Sequence, residues 1–88
     1  MPFLYVVQNI KGRRYIGITD DVDRRVKQHN AGHVRSTKAH APWELVYTEQ
    51  YQTKIEARFR EKELKTNSWK RADLFRRLLH TKAPSSNG

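Results

Sequence analysis

Apolar and polar residues alternate in two short segments near the start of the chain. The inner even positions of residues 3–9 and 14–19 are apolar, namely Leu4, Val6, Ile16 and Ile18. The odd positions are mixed and include Tyr5 and Tyr15. Alternation with a period of two is typical of strands with one buried face. The pattern predicts a β-hairpin whose two strands each carry one tyrosine.

The polar turn between these segments sets the expected register. Residues that pair across a hairpin share a face, so apolar positions must pair with apolar positions. A three-residue loop at residues 11–13 satisfies this condition, pairs Tyr5 with Thr19, and places its glycine or the following arginine at positive φ. We therefore expect both tyrosines on one face, where Gly17 leaves room for a neighbouring group.

The rest of the chain predicts three helices and one further strand. Thr19 or Asp20 is expected to cap a first helix that ends at Gly32, and a basic loop follows at residues 33–42. The other predicted elements are a strand at 43–51, a helix at 53–66 with Ile55, Phe59 and Leu64 inward, and a helix from Ser68 to residue 79. The order ββαβαα predicts one α+β domain over residues 1–80, followed by a disordered tail at 81–88.

The charge of the chain indicates a polyanionic partner. Eighteen lysine and arginine residues oppose nine acidic residues in 88, which gives a net charge of +9 and a pI near 10.3. Nucleic acid is the first candidate partner and an anionic membrane surface the second.

Composition excludes several kinds of site. The absence of cysteine excludes disulfides and thiolate metal sites. The four histidines lack the close spacing of a zinc site. No apolar stretch approaches the roughly 18 residues of a membrane span, so we expect a cytoplasmic protein with no membrane association.

A small set of residues could form a phosphodiester-cleaving site. Arg25 and His29 share a face of the first predicted helix, beside its Val22–Val26 stripe, so we expect them at the rim where the helix meets the sheet. Glu56 lies in the first turn of the second predicted helix. Phosphodiester cleavage needs a base, cations against the phosphate, and often a carboxylate-bound metal ion.

Each of these residues also has a purely structural interpretation. Tyrosine packs well in half-buried strands, and a cation suits the end of the first helix. Residues 53–56, "TKIE", have the sequence of a capping box, in which Glu56 would only stabilise the helix start. The residues alone therefore predict a basic, nucleic-acid-binding domain and do not establish an enzyme.

The same residues resemble those of the GIY-YIG nuclease superfamily. Tyr5 lies in "FLYVV", where Phe-Leu-Tyr replaces Gly-Ile-Tyr, and "YIG" follows ten residues later at Tyr15. Arg25 follows after ten more residues, His29 after four more, and Glu56 early in the helix after "WELVYTEQY". Residues 56–72 are similar to the short, single-domain bacterial branch known as YhbQ-like or UPF0213 proteins.

The resemblance implies a small three-stranded antiparallel sheet flanked by helices, and divalent-metal-dependent cleavage of DNA. By this resemblance Tyr15 would activate the attacking water, Tyr5 would orient the phosphate, and Arg25 would stabilise its charge. His29 would hydrogen-bond a tyrosine hydroxyl or the phosphate, or relay a proton. Glu56 would be the lone protein ligand of one Mg²⁺ or Mn²⁺ ion.

The resemblance and the charge together predict how the protein meets DNA. Since the chain has no separate DNA-binding domain, we expect a monomer with low sequence specificity. Structure-selective action in repair or recombination, and targeting by a partner protein, are compatible with this expectation. The alternatives are a catalytically weak nucleic-acid-binding module and an accessory subunit. An exposed apolar patch near Trp43 or Trp69, if the fold forms one, would favour the accessory subunit. The expected DNA contacts are Arg13, Arg14, Arg24, Arg35, Lys38, Lys70, Arg71, Arg76 and Arg77.

Overall fold

A three-stranded antiparallel sheet forms the centre of the structure, a computed structural model that describes the backbone of residues 1–85 and the side chains of residues 1–78. The strands lie in the order β2-β1-β3. The elements are β1 (Phe3–Asn9), β2 (Arg14–Thr19), α1 (Val22–Asn30), β3 (Trp43–Gln50), α2 (Lys54–Thr66) and α3 (Ser68–Ser85), with a 3₁₀ turn at Lys38–His40. The predicted α+β class and the order ββαβαα are confirmed.

The hairpin register differs from the predicted one by two residues. Tyr5 pairs with Gly17 instead of Thr19. The loop contains three residues, as predicted, but it spans residues 10–12, and Gly12 has a φ of 83°. The side chain of Asn9 explains the shift, because its Oδ1 accepts the backbone N–H groups of Lys11 and Arg13 and closes the turn one residue early.

A shift of two residues leaves each side chain on its predicted face, and both faces of the sheet are covered. On the even face Leu4 and Val6 pack against Leu64 of α2 and Leu74 of α3. On the odd face Tyr5, Val7 and Trp43 form a second cluster, against which Tyr15 and Val26 of α1 pack. The sheet therefore holds the two tyrosines under α1.

The first and third helices depart from their predicted limits. Asp21, and not Thr19 or Asp20, caps α1, because its Oδ1 accepts the N–H of Arg24 at 3.1 Å. Thr19 instead accepts the N–H of Asp21 and shapes the turn before the helix. Helix α3 extends to Ser85. The last three residues of the predicted tail, 86–88, lie outside the described residues, and its disorder stays a prediction.

The inward face of α2 was predicted correctly at Leu64 and wrongly at Ile55 and Phe59. Ile55 and Phe59 are 82% and 71% exposed, whereas Ala57 and Leu64 are buried. Arg60 lies between these two buried positions and reaches Glu49 of β3, with its Nε 3.0 Å from Oε1. The small Ala57 and this ion pair turn α2 so that its larger apolar side chains point outward. Among residues 1–85 no helix is long and apolar enough to cross a bilayer.

Candidate active site

Four of the five residues predicted for the site lie together on the odd face of the sheet. β1 supplies Tyr5, β2 supplies Tyr15, and α1 supplies Arg25 and His29. The ring centroids of Tyr15 and His29 are 5.1 Å apart, those of Tyr5 and His29 are 5.6 Å apart, and those of the two tyrosines are 6.4 Å apart. The register that pairs Tyr5 with Gly17 produces this arrangement.

Hydrogen bonds join three of these side chains. Tyr5 Oη lies 2.7 Å from His29 Nε2. Arg25 Nε donates to the same Tyr5 oxygen at 3.3 Å, and Arg25 Nη1 donates to Gln28 Oε1 at 3.0 Å. The guanidinium is thus held at two points, and it borders a groove that Arg24 and Gln28 also line. A guanidinium fixed in this way is suited to binding a phosphate.

The two tyrosines differ in their exposure to solvent. Tyr5 and His29 are both 0% exposed, whereas Tyr15 and Arg25 are only half-buried. Burial raises the pKa of Tyr5, and the hydrogen bond from Arg25 offsets only part of this increase. Burial, and then the charge of Arg25, lowers the pKa of His29. Near neutral pH Tyr5 therefore keeps its proton and His29 is uncharged, and Tyr15 is the tyrosine accessible to substrate.

Gly17 makes room for the Tyr5 ring. A Cβ at this position would lie 2.6 Å from Tyr5 Oη and 2.8 Å from two ring carbons. We expect Gly17→Ala to displace the ring and lower the free energy of unfolding by about 1–3 kcal/mol, measured by urea denaturation. Thr48→Ala, at an exposed position of β3, is the control. Equal stability of the two variants would show that the ring moves aside without cost.

Glu56, the fifth predicted residue, takes part in different contacts. Its Oε1 accepts the N–H and the hydroxyl of Thr53, both at 3.1 Å, and its N–H donates to Thr53 Oγ1 at 3.2 Å. This is a complete capping box at the start of α2. The side chain is exposed and lines a groove with Ile55 and Phe59, on the outward face of the helix.

Glu61 is the carboxylate of α2 on the side of the tyrosines. Its negative charge adds to burial in raising the pKa of Tyr5. Its Oε2 lies 3.0 Å from Lys65 Nζ, and the Glu61 side chain is only 18% exposed. The Lys65 ammonium in turn lies 5.5 Å from the centroid of the Tyr15 ring. Five residues on a helix correspond to a rotation of about 140°, which separates Glu61 from Glu56.

These residues suit a divalent ion held by a single carboxylate. In the described part of the chain, no three His, Cys, Asp or Glu side chains are grouped closely enough to surround an ion. Mg²⁺ often binds one or two carboxylates and completes its octahedron with water and substrate phosphate oxygens. Glu61 fits this arrangement, because its half-buried carboxylate pairs with Lys65, whose ammonium lies over the Tyr15 ring.

A cationic groove continues from Tyr15 along the edge of the sheet. Arg14, Lys65 and Arg71 line it together with Tyr15 and Phe75. Arg14 Nε donates to Gln8 Oε1 at 2.8 Å, and its Cζ lies 4.7 Å from the centroid of the Phe75 ring. Arg71 Nη1 donates to the carbonyl of Lys65 at 3.1 Å. We call this feature the β2 groove.

The other predicted DNA contacts are spread over the surface. Arg13, Arg24, Arg35 and Lys38 are exposed. Lys70 is paired with Glu63, and Arg76 and Arg77 are paired with Asp73, so their charges are partly neutralised. The predicted list therefore combines groove residues with scattered surface cations.

The sequence prediction did not include three residues that the structure brings to the predicted ones: Thr37 contacts His29, Lys65 lies over Tyr15, and Glu61 pairs with Lys65. Glu61 lies four residues after the buried Ala57 and three before the buried Leu64, so helical spacing places it on their side of α2. That signal was hidden by the outward Ile55 and Phe59, which had suggested a different face. Thr37 lies in the loop before β3, where no periodicity marks it.

The sequence and the fold of the chain are similar to those of known proteins. The sequence profile described as the GIY-YIG catalytic domain matches residues 1–75. UPF0213 proteins of Staphylococcus aureus strains Mu3 and Mu50 are 46% identical over 65 residues, which cover 73% of this chain and 79% of theirs. The solution structure of the UPF0213 protein BH0048 from Bacillus halodurans is similar with a TM-score of 0.54 at 34% identity, over 89% of this chain and 85% of that one.

Proposed function

The chain belongs to the GIY-YIG catalytic domain family, a family of nucleases, and on that premise we propose that it is a divalent-metal-dependent endonuclease that hydrolyses DNA. The observation that carries the proposal is the hydrogen-bonded group of Tyr5, His29 and Arg25 beside the accessible Tyr15. Phosphodiester hydrolysis needs a base, cations against the phosphate and often a metal ion on a carboxylate, and a phenol, a fixed guanidinium and a nearby carboxylate can supply these parts.

In the proposed reaction each side chain has a separate task. Arg25 binds the scissile phosphate and stabilises the charge that develops on it. In its deprotonated form Tyr15 would accept a proton from the attacking water. The Lys65 ammonium lies 5.5 Å from the centroid of its ring. Tyr5 and His29, both buried, hold Arg25 in place.

Glu61 is the residue we propose to hold the metal ion, in place of Glu56. Its ion pair with Lys65, whose ammonium lies over the Tyr15 ring, supports this assignment, whereas the hydrogen bonds of Glu56 to Thr53 support a role as a helix cap. A bound Mg²⁺ or Mn²⁺ ion would polarise a phosphate oxygen. Lys65 would then lose its partner and become available to the phosphate.

The β2 groove supports DNA as the substrate, because it begins at Tyr15 and is lined by three cations. Two of these cations, Arg14 and Arg71, are held in place by contacts within the protein. Contacts between these cations and DNA would go to the phosphate backbone and would not distinguish one base sequence from another. We therefore propose low sequence specificity, with selectivity for branched or nicked structures in repair or recombination. Targeting by a partner protein and a cytoplasmic, monomeric state belong to the same proposal.

We expect Arg14→Gln and Arg71→Gln each to weaken duplex binding and to reduce the slope of log K against log salt by about 0.9, the value for one phosphate contact. The measurement is fluorescence anisotropy with a labelled duplex over a series of salt concentrations. Arg76→Gln is the matched control, because Asp73 already offsets its charge. An equal change in the control would attribute binding to net charge and not to the β2 groove.

A cleavage assay tests the proposed function itself. Purified protein is incubated at low salt with supercoiled plasmid and with nicked and branched oligonucleotides, in Mg²⁺, Mn²⁺ or EDTA. We expect products with either metal ion and none with EDTA or with Arg25→Ala, which guards against contaminating nucleases. DNA binding without products on every substrate would favour the alternative of a binding module.

A further inference from the structure

Thr37 contacts the ring nitrogen of His29 that Tyr5 does not contact. The residue lies in the loop between α1 and β3 and is 1% exposed. Its Oγ1 is 2.7 Å from His29 Nδ1, and on the other side of the ring His29 Nε2 is 2.7 Å from Tyr5 Oη. Both ring nitrogens of a fully buried histidine are therefore engaged by hydroxyl groups.

The loop holds Thr37 rigidly in this position. Its N–H donates to the Val34 carbonyl at 3.1 Å. Its own carbonyl accepts the indole N–H of Trp43 at 2.9 Å and the N–H of His40 at 3.1 Å. The hydroxyl is thus positioned by the loop backbone and by the first residue of β3, so it has a fixed relation to the sheet.

The partners allow one consistent direction for all of these hydrogen bonds. The Val34 carbonyl, 3.3 Å from Thr37 Oγ1, can only accept, and when Thr37 donates its single proton there, its oxygen accepts from His29 Nδ1–H. A neutral imidazole has one N–H group, and His29 Nε2 must then accept from the Tyr5 hydroxyl. The Tyr5 oxygen is left to accept from Arg25 Nε, as the geometry requires. In the other tautomer, with the proton on Nε2, both His29 and Arg25 would donate to the Tyr5 oxygen. The Tyr5 hydroxyl proton would then have no acceptor on His29.

We propose that Thr37 is a positioning residue of the site: it fixes His29 as the Nδ1–H tautomer, and through Tyr5 it fixes the orientation of Arg25. The four bonds from Arg25 to Val34 then all run in one direction. The tautomer part of the proposal concerns the folded protein alone. Only its consequence for the rate of cleavage rests on the proposed function.

Nitrogen NMR of the histidine rings tests the tautomer directly. In uniformly ¹⁵N-labelled wild-type protein near neutral pH, we expect His29 to show a protonated Nδ1 and an unprotonated Nε2. A protonated Nε2 in the wild type would overturn the proposal. In Thr37→Val, which keeps the shape and removes the hydroxyl, we expect the Nε2–H tautomer or a mixture of the two. Thr37→Ser should restore the wild-type spectrum, and an unchanged tautomer in Thr37→Val would also overturn the proposal.

Cleavage by the same variants tests the consequence for Arg25. We expect Thr37→Val to lower kcat about tenfold or more with little change in DNA affinity, the size of effect typical of residues that orient a reacting group, and Thr37→Ser to recover most of it. A rate equal to the wild type would overturn the link to Arg25. If wild-type protein cleaves no DNA, the proposed function fails, while the NMR result still decides the role of Thr37. If Thr37→Val does not fold, Thr37→Ser still tests the proposal. The serine variant keeps the hydroxyl, so it must show the same His29 tautomer as the wild type.

Discussion

Glu61→Gln abolishes DNA cleavage, and Glu56→Gln leaves it within a few fold of the wild-type rate: this is the expected result for two carboxylates five residues apart on α2. Glutamine has the shape of glutamate but lacks the charge that holds a divalent ion. Since a bound metal ion contributes several kcal/mol to stabilising the transition state, we expect a loss of at least about a hundredfold at Glu61.

Glu56→Gln is a matched control because glutamine also satisfies a capping box. The bonds of Glu56 to Thr53 can therefore persist, and the variant should fold as the wild type does. DNA affinity should be unchanged or slightly higher in both variants, since each removes one negative charge from the protein. Initial rates on supercoiled plasmid at saturating Mg²⁺, with anisotropy for binding, make the comparison.

The opposite pattern would change the assignment. If Glu56→Gln removes cleavage and Glu61→Gln does not, the metal ligand is the residue that the motif first suggested, and α2 must move for it to reach the tyrosines. If both variants keep full activity, the proposed single-carboxylate metal site is absent.

The hairpin and helix α2 show which features of this protein a sequence pattern can predict and which it cannot. The alternation in β1 and β2 predicted both strands and the shared face of Tyr5 and Tyr15, because a face depends only on whether a position is odd or even. The register depended on the Asn9 side chain, which bonds to two amides of the turn. A local hydrogen bond of this kind has no periodic signal, and the predicted register was off by two residues.

The prediction of the buried face of α2 was wrong at Ile55 and Phe59 for a related reason. Its apolar residues Ile55 and Phe59 have helical spacing, and spacing alone favours the face with the larger side chains. In the structure the helix packs through the small Ala57 and through an ion pair between Arg60 and Glu49. Tertiary contacts of this kind decide which face is buried, and our proposal of Glu61 over Glu56 as metal ligand rests on that face.

The second large effect is expected at Tyr15, where Tyr15→Phe should lower the cleavage rate about a hundredfold or more and leave folding unchanged. The Tyr15 side chain is half-buried at the start of the β2 groove, so its hydroxyl can reach both water and substrate. Removing a hydroxyl at an accessible position leaves no buried partner unsatisfied. The free energy of unfolding should therefore stay within about 0.5 kcal/mol of the wild-type value.

Tyr5→Phe provides the contrast that makes this result interpretable. The Tyr5 hydroxyl is buried between His29 Nε2 and Arg25 Nε, and its loss leaves the histidine nitrogen without that donor. We expect about 1–3 kcal/mol of lost stability together with a lower rate, because Arg25 is no longer held. Urea denaturation and initial cleavage rates on both variants separate the two tyrosines. A stable Tyr5→Phe that is inactive, beside a Tyr15→Phe that cleaves normally, would show that Tyr5 activates the water and that its buried position opens when DNA binds.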